Sequence, residues 1–202
     1  TFLIVEGRED VVLLKHFCKT NVFICESYSG KKGVHEILHF FKGSKNVVAV
    51  RDRDYERRRA DKRIFYYDFC NMEMMLINDE EVFEKLIEEH YAGVKDSLDI
   101  RHEILNDLLL LSHIRMINEH GKNMWNFNGI DYKLILDDKS NSKQESILCN
   151  LKRINPLVDK KDFIKGIKLK DVYTYSELIE LTNGHDFLRL LSEYCKDSSR
   201  KN

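Results

Sequence analysis

The chain has 202 residues, 43% of them hydrophobic and 10% aromatic, which is enough to bury the core of one large domain or of one domain with an insertion. Lysine plus arginine (33) and aspartate plus glutamate (34) nearly cancel, so no uniformly basic surface for nucleic acid or membrane is expected. One proline and nine glycines argue against a loop-rich or disordered chain.

The five cysteines show neither a CxxC pair nor the Cys/His spacing of a zinc site. They lie among apolar neighbours, which favours buried thiols in a reducing cytoplasm. No signal peptide and no run long enough to cross a bilayer is found, so we expect a cytoplasmic protein with no membrane contact. Thr1 already lies within an apolar strand pattern, which leaves an earlier natural start open.

Four short apolar runs predict strands in the first part of the chain. These are TFLIV (1–5), NVFICES (21–27), NVVAVRD (46–52) and KRIFYYDFCN (62–71). Amphipathic helical patterns separate the first three, which is typical of a parallel sheet with helical crossovers. We therefore predict an α/β core over residues 1–78, a parallel sheet flanked by helices.

The pattern becomes helical after this core. Residues 79–125 predict a helical insertion or subdomain, and residues 126–202 predict the remaining core and C-terminal helices. Residues 130–137 fit a helix start or a strand, and the tail predicts two helices with a break at Asn183 and Gly184. The leucine run at 108–111 fits a doubly buried helix or a self-association surface, and we favour the surface and hence a homodimer.

Acidic residues cluster where the predicted strands end. Glu6 follows the first strand, Asp52 and Asp54 follow the third, and ligand sites of open parallel sheets lie at the carboxyl ends of strands. Asp10, four residues after Glu6, and Glu73, after the fourth strand, extend the set. Such a cluster is stable when it binds Mg²⁺, and it offers enough ligands for two metal ions. Taken singly, each acid also fits a solvated turn or a helix cap.

Basic residues lie beside this predicted site. Arg57, Arg58 and Arg59 follow the aspartates directly, and Lys31 and Lys32 open a helix after a glycine-containing turn. Both groups fit contacts to the phosphates of a nucleic acid, and both also fit an ordinary solvated loop or turn.

The segments LIVEGRED (3–10) and VVAVRDRD (47–54) resemble the Toprim pattern of topoisomerases, bacterial primases and overcoming-lysogenization-defect (OLD) nucleases. The stretch NMEMMLI is similar to a further acidic motif of the OLD-like branch. The resemblance implies a Toprim fold in which Glu6 acts as general base or metal ligand. It also implies that Asp52 and Asp54 hold one Mg²⁺ or Mn²⁺ ion, and that Asp10 and Glu73 build or complete a second site.

The later part of the chain resembles stand-alone Toprim nuclease effectors of bacterial anti-phage systems, such as the phage anti-restriction-induced system. In such systems a separate ABC-type ATPase holds the nuclease, and this chain has no P-loop motif of its own. The segment NGHDFLRLL is similar to a closing motif of this branch. That likeness makes His185 a candidate to donate to the leaving oxygen or to contact phosphate.

The sequence thus predicts a metal-dependent endonuclease, with RNA and specifically transfer RNA as the expected substrate, acting as a toxic effector in antiviral defence. Two alternatives stay open. One is a DNA nuclease or nickase of OLD type. The other is a non-catalytic partner of an ABC-type ATPase, in which the acids serve assembly.

Overall fold

A computed structural model of the chain describes residues 1–56, 60–137 and 143–200. The chain forms two compact units, Thr1–Met75 and Leu76–Asn202. The predicted α/β class is confirmed, because helices flank an all-parallel sheet of four strands.

The first unit contains the sheet. Its elements are β1 (Phe2–Val5), α1 (Arg8–Lys15), β2 (Phe23–Glu26), α2 (Gly30–Phe40), β3 (Val47–Arg51), β4 (Ile64–Tyr66) and the start of α3 (Met72–Asn78). The strand order is β2-β1-β3-β4, and Ile4 of β1 lies opposite Ala49 of β3. Because β1 and β3 are parallel neighbours, their carboxyl ends meet at one edge. The fourth strand is shorter than predicted, since the chain leaves the ladder after Tyr66.

Alternation along the strands produces the core of this unit. Side chains at every second position of β1 and β3 point to one face, where α2 covers them. The packed residues are Ile4, Val34, Leu38, Val47, Ala49 and Ile64. Each is at most 4% exposed, so the centre of this face of the sheet is buried.

All regular secondary structure in the described residues of the second unit is helical. Its helices are α4 (Glu80–His90), α5 (Ser97–Asp107), α6 (Leu109–Gly121), α7 (Tyr132–Asp137), α8 (Lys143–Ile154), α9 (Lys160–Ile164), α10 (Tyr175–Leu181) and α11 (Gly184–Arg200). Of residues 130–137, which the sequence left open, Tyr132–Asp137 form a helix. The predicted break at Asn183 is confirmed, because α10 ends at Leu181 and α11 begins at Gly184.

Residues 126–202, predicted as the remaining core and C-terminal helices, belong to the same compact unit as the helices that precede them. The leucine run is buried: Leu108 and Leu111 are fully inaccessible and Leu110 is 6% exposed. Three of the four leucines are thus buried and Leu109 is partly exposed, so the homodimer predicted from the run has no support from the buried three. None of the helices in the described ranges is long and apolar enough to cross a membrane.

Candidate functional site

Acidic side chains lie at the carboxyl ends of the two central strands. Glu6 follows β1 directly, and Asp52 follows β3 directly. Oδ1 of Asp52 accepts a hydrogen bond of 3.1 Å from the backbone N–H of Met72, the first residue of α3. This contact places the first turn of α3, which carries Glu73, beside the end of β3.

The charges of these acids interact strongly. Burial raises the pKa of Asp52 to about 8, and the neighbouring carboxylates of Asp54, Glu73 and Glu6 raise it further against the opposing hydrogen bond from Met72. Burial also raises the pKa of Glu6, as does Asp54, while nearby cations oppose the shift. Burial and nearby carboxylates therefore disfavour the negative charge of two predicted metal ligands, Asp52 and Glu6.

The backbone turns sharply at Asp54. Its φ of 50° lies in the left-handed region, and its N–H donates to the carbonyl of Cys70 over 2.7 Å. β3 ends at Arg51, so Asp52 and Asp54 both lie beyond the strand. Phe69 in the facing loop also has a positive φ, of 62°. Such conformations are unfavourable for bulky residues and concentrate at functional sites.

Asp10 is held by two structural hydrogen bonds. Its Oδ1 accepts from the hydroxyl of Tyr67 over 2.8 Å, and its Oδ2 accepts from the backbone N–H of Gly7 over 2.9 Å. The second bond caps the start of α1, as an acid in the first turn of a helix commonly does. The carboxylate is thus fixed in orientation by its own helix and by the loop after β4.

Arg51 is a buried cation beside the acids that the sequence prediction did not include. Its side chain is 0% exposed, and Nη1 donates to Oε1 of Glu6 and to the carbonyl of Asp52 over 3.4 Å and 3.3 Å. The sequence does indicate that Arg51 is buried. Arg51 shares the buried face of β3 with Val47 and Ala49, and a charge in that position requires acidic partners.

The second partner of Arg51 is Glu56, also outside the prediction. Nη2 of Arg51 pairs with Oε2 of Glu56, which accepts a further bond of 2.6 Å from the hydroxyl of Tyr66. Burial raises the pKa of Glu56, but the bonds from Tyr66, Arg51 and Lys31 outweigh this effect and bring the pKa to about 2. Glu56 is therefore a permanent anion at neutral pH.

Lys31 and Lys32 differ in their surroundings. Nζ of Lys31 lies 2.9 Å from Oε1 of Glu56 and 3.4 Å from Oδ2 of Asp54, so this lysine lies against the acidic site. Lys32 is 80% exposed and forms an ion pair of 3.7 Å with Glu36 in the next turn of α2. Only the first of the two lysines thus contacts the predicted metal ligands in the described structure.

Of the predicted basic stretch, Arg57, Arg58 and Arg59 lie outside the described residues. Arg63, at its end, donates to the carbonyls of Leu38 and Phe41 over 2.7 Å and 2.8 Å. These acceptors end α2, so Arg63 serves to close that helix. It is not a free phosphate contact.

His185 lies in the second unit, exposed, in the first turn of α11. Its neighbour Asp186 is 1% exposed and binds Nη2 of Arg115 over 2.6 Å together with the hydroxyl of Tyr132. The buried member of the NGHDF motif is thus the aspartate, which holds α6, α7 and α11 together.

The donor set agrees chemically with a hard divalent cation, since all five predicted ligands offer carboxylate oxygens. Within residues 1–56, 60–137 and 143–200, no three His, Cys, Asp or Glu side chains are already arranged around a metal position. Instead, the ammonium group of Lys31 and the guanidinium group of Arg51 contact Asp54 and Glu6. Side-chain cations thus compensate part of the negative charge.

Comparisons with known proteins add no family assignment. No protein-family model matches the sequence, and no curated protein matches it either.

Proposed function

We propose that the protein is a Mg²⁺- or Mn²⁺-dependent phosphodiesterase of Toprim type that cleaves nucleic acid. The observation that carries the proposal is the position of Asp52. It lies at the carboxyl end of a central parallel strand, where burial and the carboxylates of Asp54, Glu73 and Glu6 raise its pKa to about 8. A set of acids that is unfavourable without added positive charge is typical of a metal-dependent phosphoryl-transfer site.

In this proposal Glu6, Asp10, Asp52, Asp54 and Glu73 would hold the metal. A bound divalent cation lowers the pKa of water and neutralises phosphate charge. Glu6 would accept the proton of the attacking water or hydroxyl, since a raised pKa makes its carboxylate a stronger base. Arg51 would keep that carboxylate oriented, and Tyr67 would do the same for Asp10.

The substrate and setting rest on the sequence resemblance. We propose RNA, and transfer RNA in particular, as the substrate, and a separately encoded ABC-type ATPase as the partner that holds a toxic effector in check. A DNA nuclease or nickase is the alternative within the same chemistry. By the same resemblance His185, which is exposed, would donate to the leaving oxygen or contact phosphate.

The test is cleavage of total RNA and of supercoiled plasmid by the purified protein, with Mg²⁺ or Mn²⁺ and with EDTA. Glu6→Gln should abolish cleavage, and Glu9→Gln, which alters an exposed acid in the first turn of α1, should leave it unchanged. Cleavage that persists at full rate in Glu6→Gln would exclude the proposed mechanism. The fragment pattern distinguishes RNA from DNA as substrate.

A second function is favoured by one observation. Arg51 and Lys31 already bridge the acids, which is also how a charge cluster with a purely structural or assembly role is stabilised. A non-catalytic partner of an ATPase would lose complex formation in Glu6→Gln and would show no metal-dependent cleavage at all. A nuclease would keep the complex and lose cleavage.

A further inference from the structure

Two side-chain cations, Arg51 and Lys31, contact the acids of the proposed metal site, and they differ in burial and in the number of their partners. The guanidinium of Arg51 is fully inaccessible and has partners on both sides, Glu6 and Glu56. The side chain of Lys31 is 30% exposed and reaches the acids from the first turn of α2. A buried, doubly paired arginine is fixed, whereas a lysine at the rim has a flexible stem and a weak ion pair.

Lys31 also bridges two acids of different kinds. One is Asp54, a predicted metal ligand, at 3.4 Å, and the other is Glu56, at 2.9 Å. Glu56 keeps Arg51 and Tyr66 as partners if the lysine moves. If Lys31 moves away from Asp54, the carboxylate of Glu56 therefore remains compensated.

We propose that Lys31 is a displaceable internal cation: it occupies Asp54 in the metal-free protein, and a divalent metal ion competes with it for that carboxylate. This inference rests on the proposed function, because it concerns the same acids. Once displaced, the ammonium group lies beside the site on a flexible stem, available to contact a phosphate of the nucleic acid. Lys31 then lowers metal affinity and links metal binding to substrate binding.

The test is titration of the metal-free protein with Mn²⁺ or Mg²⁺ by calorimetry, with no substrate present. Lys31→Met should bind the metal about twofold to fivefold more tightly than the wild type, the range expected from removing one partly exposed competing charge. The matched control is Lys32→Met, which removes the neighbouring, 80% exposed lysine and should leave the affinity unchanged. Equal or weaker binding by Lys31→Met would overturn the inference.

A second measurement uses the unaltered chain. Amine-acylation rates read by mass spectrometry should rise at Lys31 when Mg²⁺ is added and stay constant at Lys32. An unchanged rate at Lys31, with metal binding demonstrated, would overturn the displacement while leaving the proposed nuclease intact. If neither the wild type nor Lys31→Met binds a divalent cation, the metal-dependent function and the inference both fail. Metal binding by Lys31→Met, with none detected for the wild type, would support both the metal-dependent function and the inference.

Discussion

The hydroxyl of Tyr67 donates to Oδ1 of Asp10 over 2.8 Å, a contact between residues 57 positions apart in the chain. The backbone N–H of Gly7, the residue just before α1, donates to the other oxygen of the same carboxylate. The loop after β4 thus orients an acid that belongs to the first helix. A ligand that is fixed before the metal arrives loses less conformational freedom on binding.

Tyr67→Phe should weaken metal binding while the fold is kept. The change removes one hydrogen bond to a carboxylate, so we expect about 1 kcal/mol of lost stability and about tenfold weaker Mn²⁺ binding. Urea unfolding and calorimetric titration measure the two effects. The control is Tyr28→Phe, which alters a tyrosine that is 72% exposed and should change neither. Unaltered metal affinity in Tyr67→Phe would show that this bond does not prepare the site.

Asp52 should make the metal-free protein less stable as the pH rises. Its pKa is about 8 in the folded protein and about 3.9 in an unfolded chain, so between these values the folded state binds more protons. The stability that Asp52 contributes is fully present below about pH 4. It is lost as the pH rises towards 8, with a slope of up to about 1.4 kcal/mol per pH unit. Urea unfolding in EDTA at pH 5, 6, 7 and 8 gives the slope.

The matched variant is Asp52→Asn, which keeps an oxygen to accept the N–H of Met72 and removes the titrating group. Its stability should change less with pH over this range than that of the wild type. Parallel pH profiles for the two proteins would mean that Asp52 does not carry the proton. Saturating Mg²⁺ should flatten the wild-type profile if the metal binds Asp52.

Substitutions at Asp186 and at His185, two neighbours in one motif, should have different effects on stability and on cleavage. Asp186→Asn disturbs a buried ion pair with Arg115, so we expect about 3 kcal/mol of lost stability. His185→Ala alters an exposed side chain and should leave thermal unfolding unchanged. Lost cleavage with unchanged unfolding in His185→Ala would support a role of the histidine at the reacting phosphate. Full cleavage would remove His185 from the site.

The buried leucine run gives a prediction about oligomerisation. Leu111→Ala should cost about 3–5 kcal/mol, because its side chain is fully inaccessible and truncation leaves a cavity. The partly exposed Leu109 is the control and should cost less on truncation to alanine. Sedimentation analysis should show the same oligomeric state for both variants and the wild type. A change of oligomeric state in Leu109→Ala alone would instead identify this leucine as a contact between copies.

The sequence predicts the sheet and the positions of its acids well. Short apolar runs predict β1 to β4, with amphipathic helices between the first three, and the residues after each run are known as soon as the run is known. Glu6 and Asp52 are therefore placed correctly from the sequence. The two-helix tail is also predicted, because an Asn-Gly pair interrupts a helical pattern at Asn183.

The partners of these acids are not predicted, because they depend on contacts between distant segments. Tyr67 and Asp10 are joined only once β4 lies in the sheet, and Glu56 reaches Arg51 only through the turn at Asp54. Local patterns carry no information on such pairs. The burial of Arg51 could have been noticed, since alternation along β3 places it on the apolar face.

The left-handed backbone of Asp54 affects how any mutagenesis of this chain is read. Alanine at this position removes a carboxylate and also strains a backbone conformation with φ of 50°, which asparagine and aspartate tolerate better. The N–H of residue 54 holds the loop after β3 to Cys70, so that strain reaches both loops. An inactive Asp54→Ala protein would therefore not distinguish a missing ligand from a displaced loop, whereas Asp54→Asn changes the charge and leaves the turn in place.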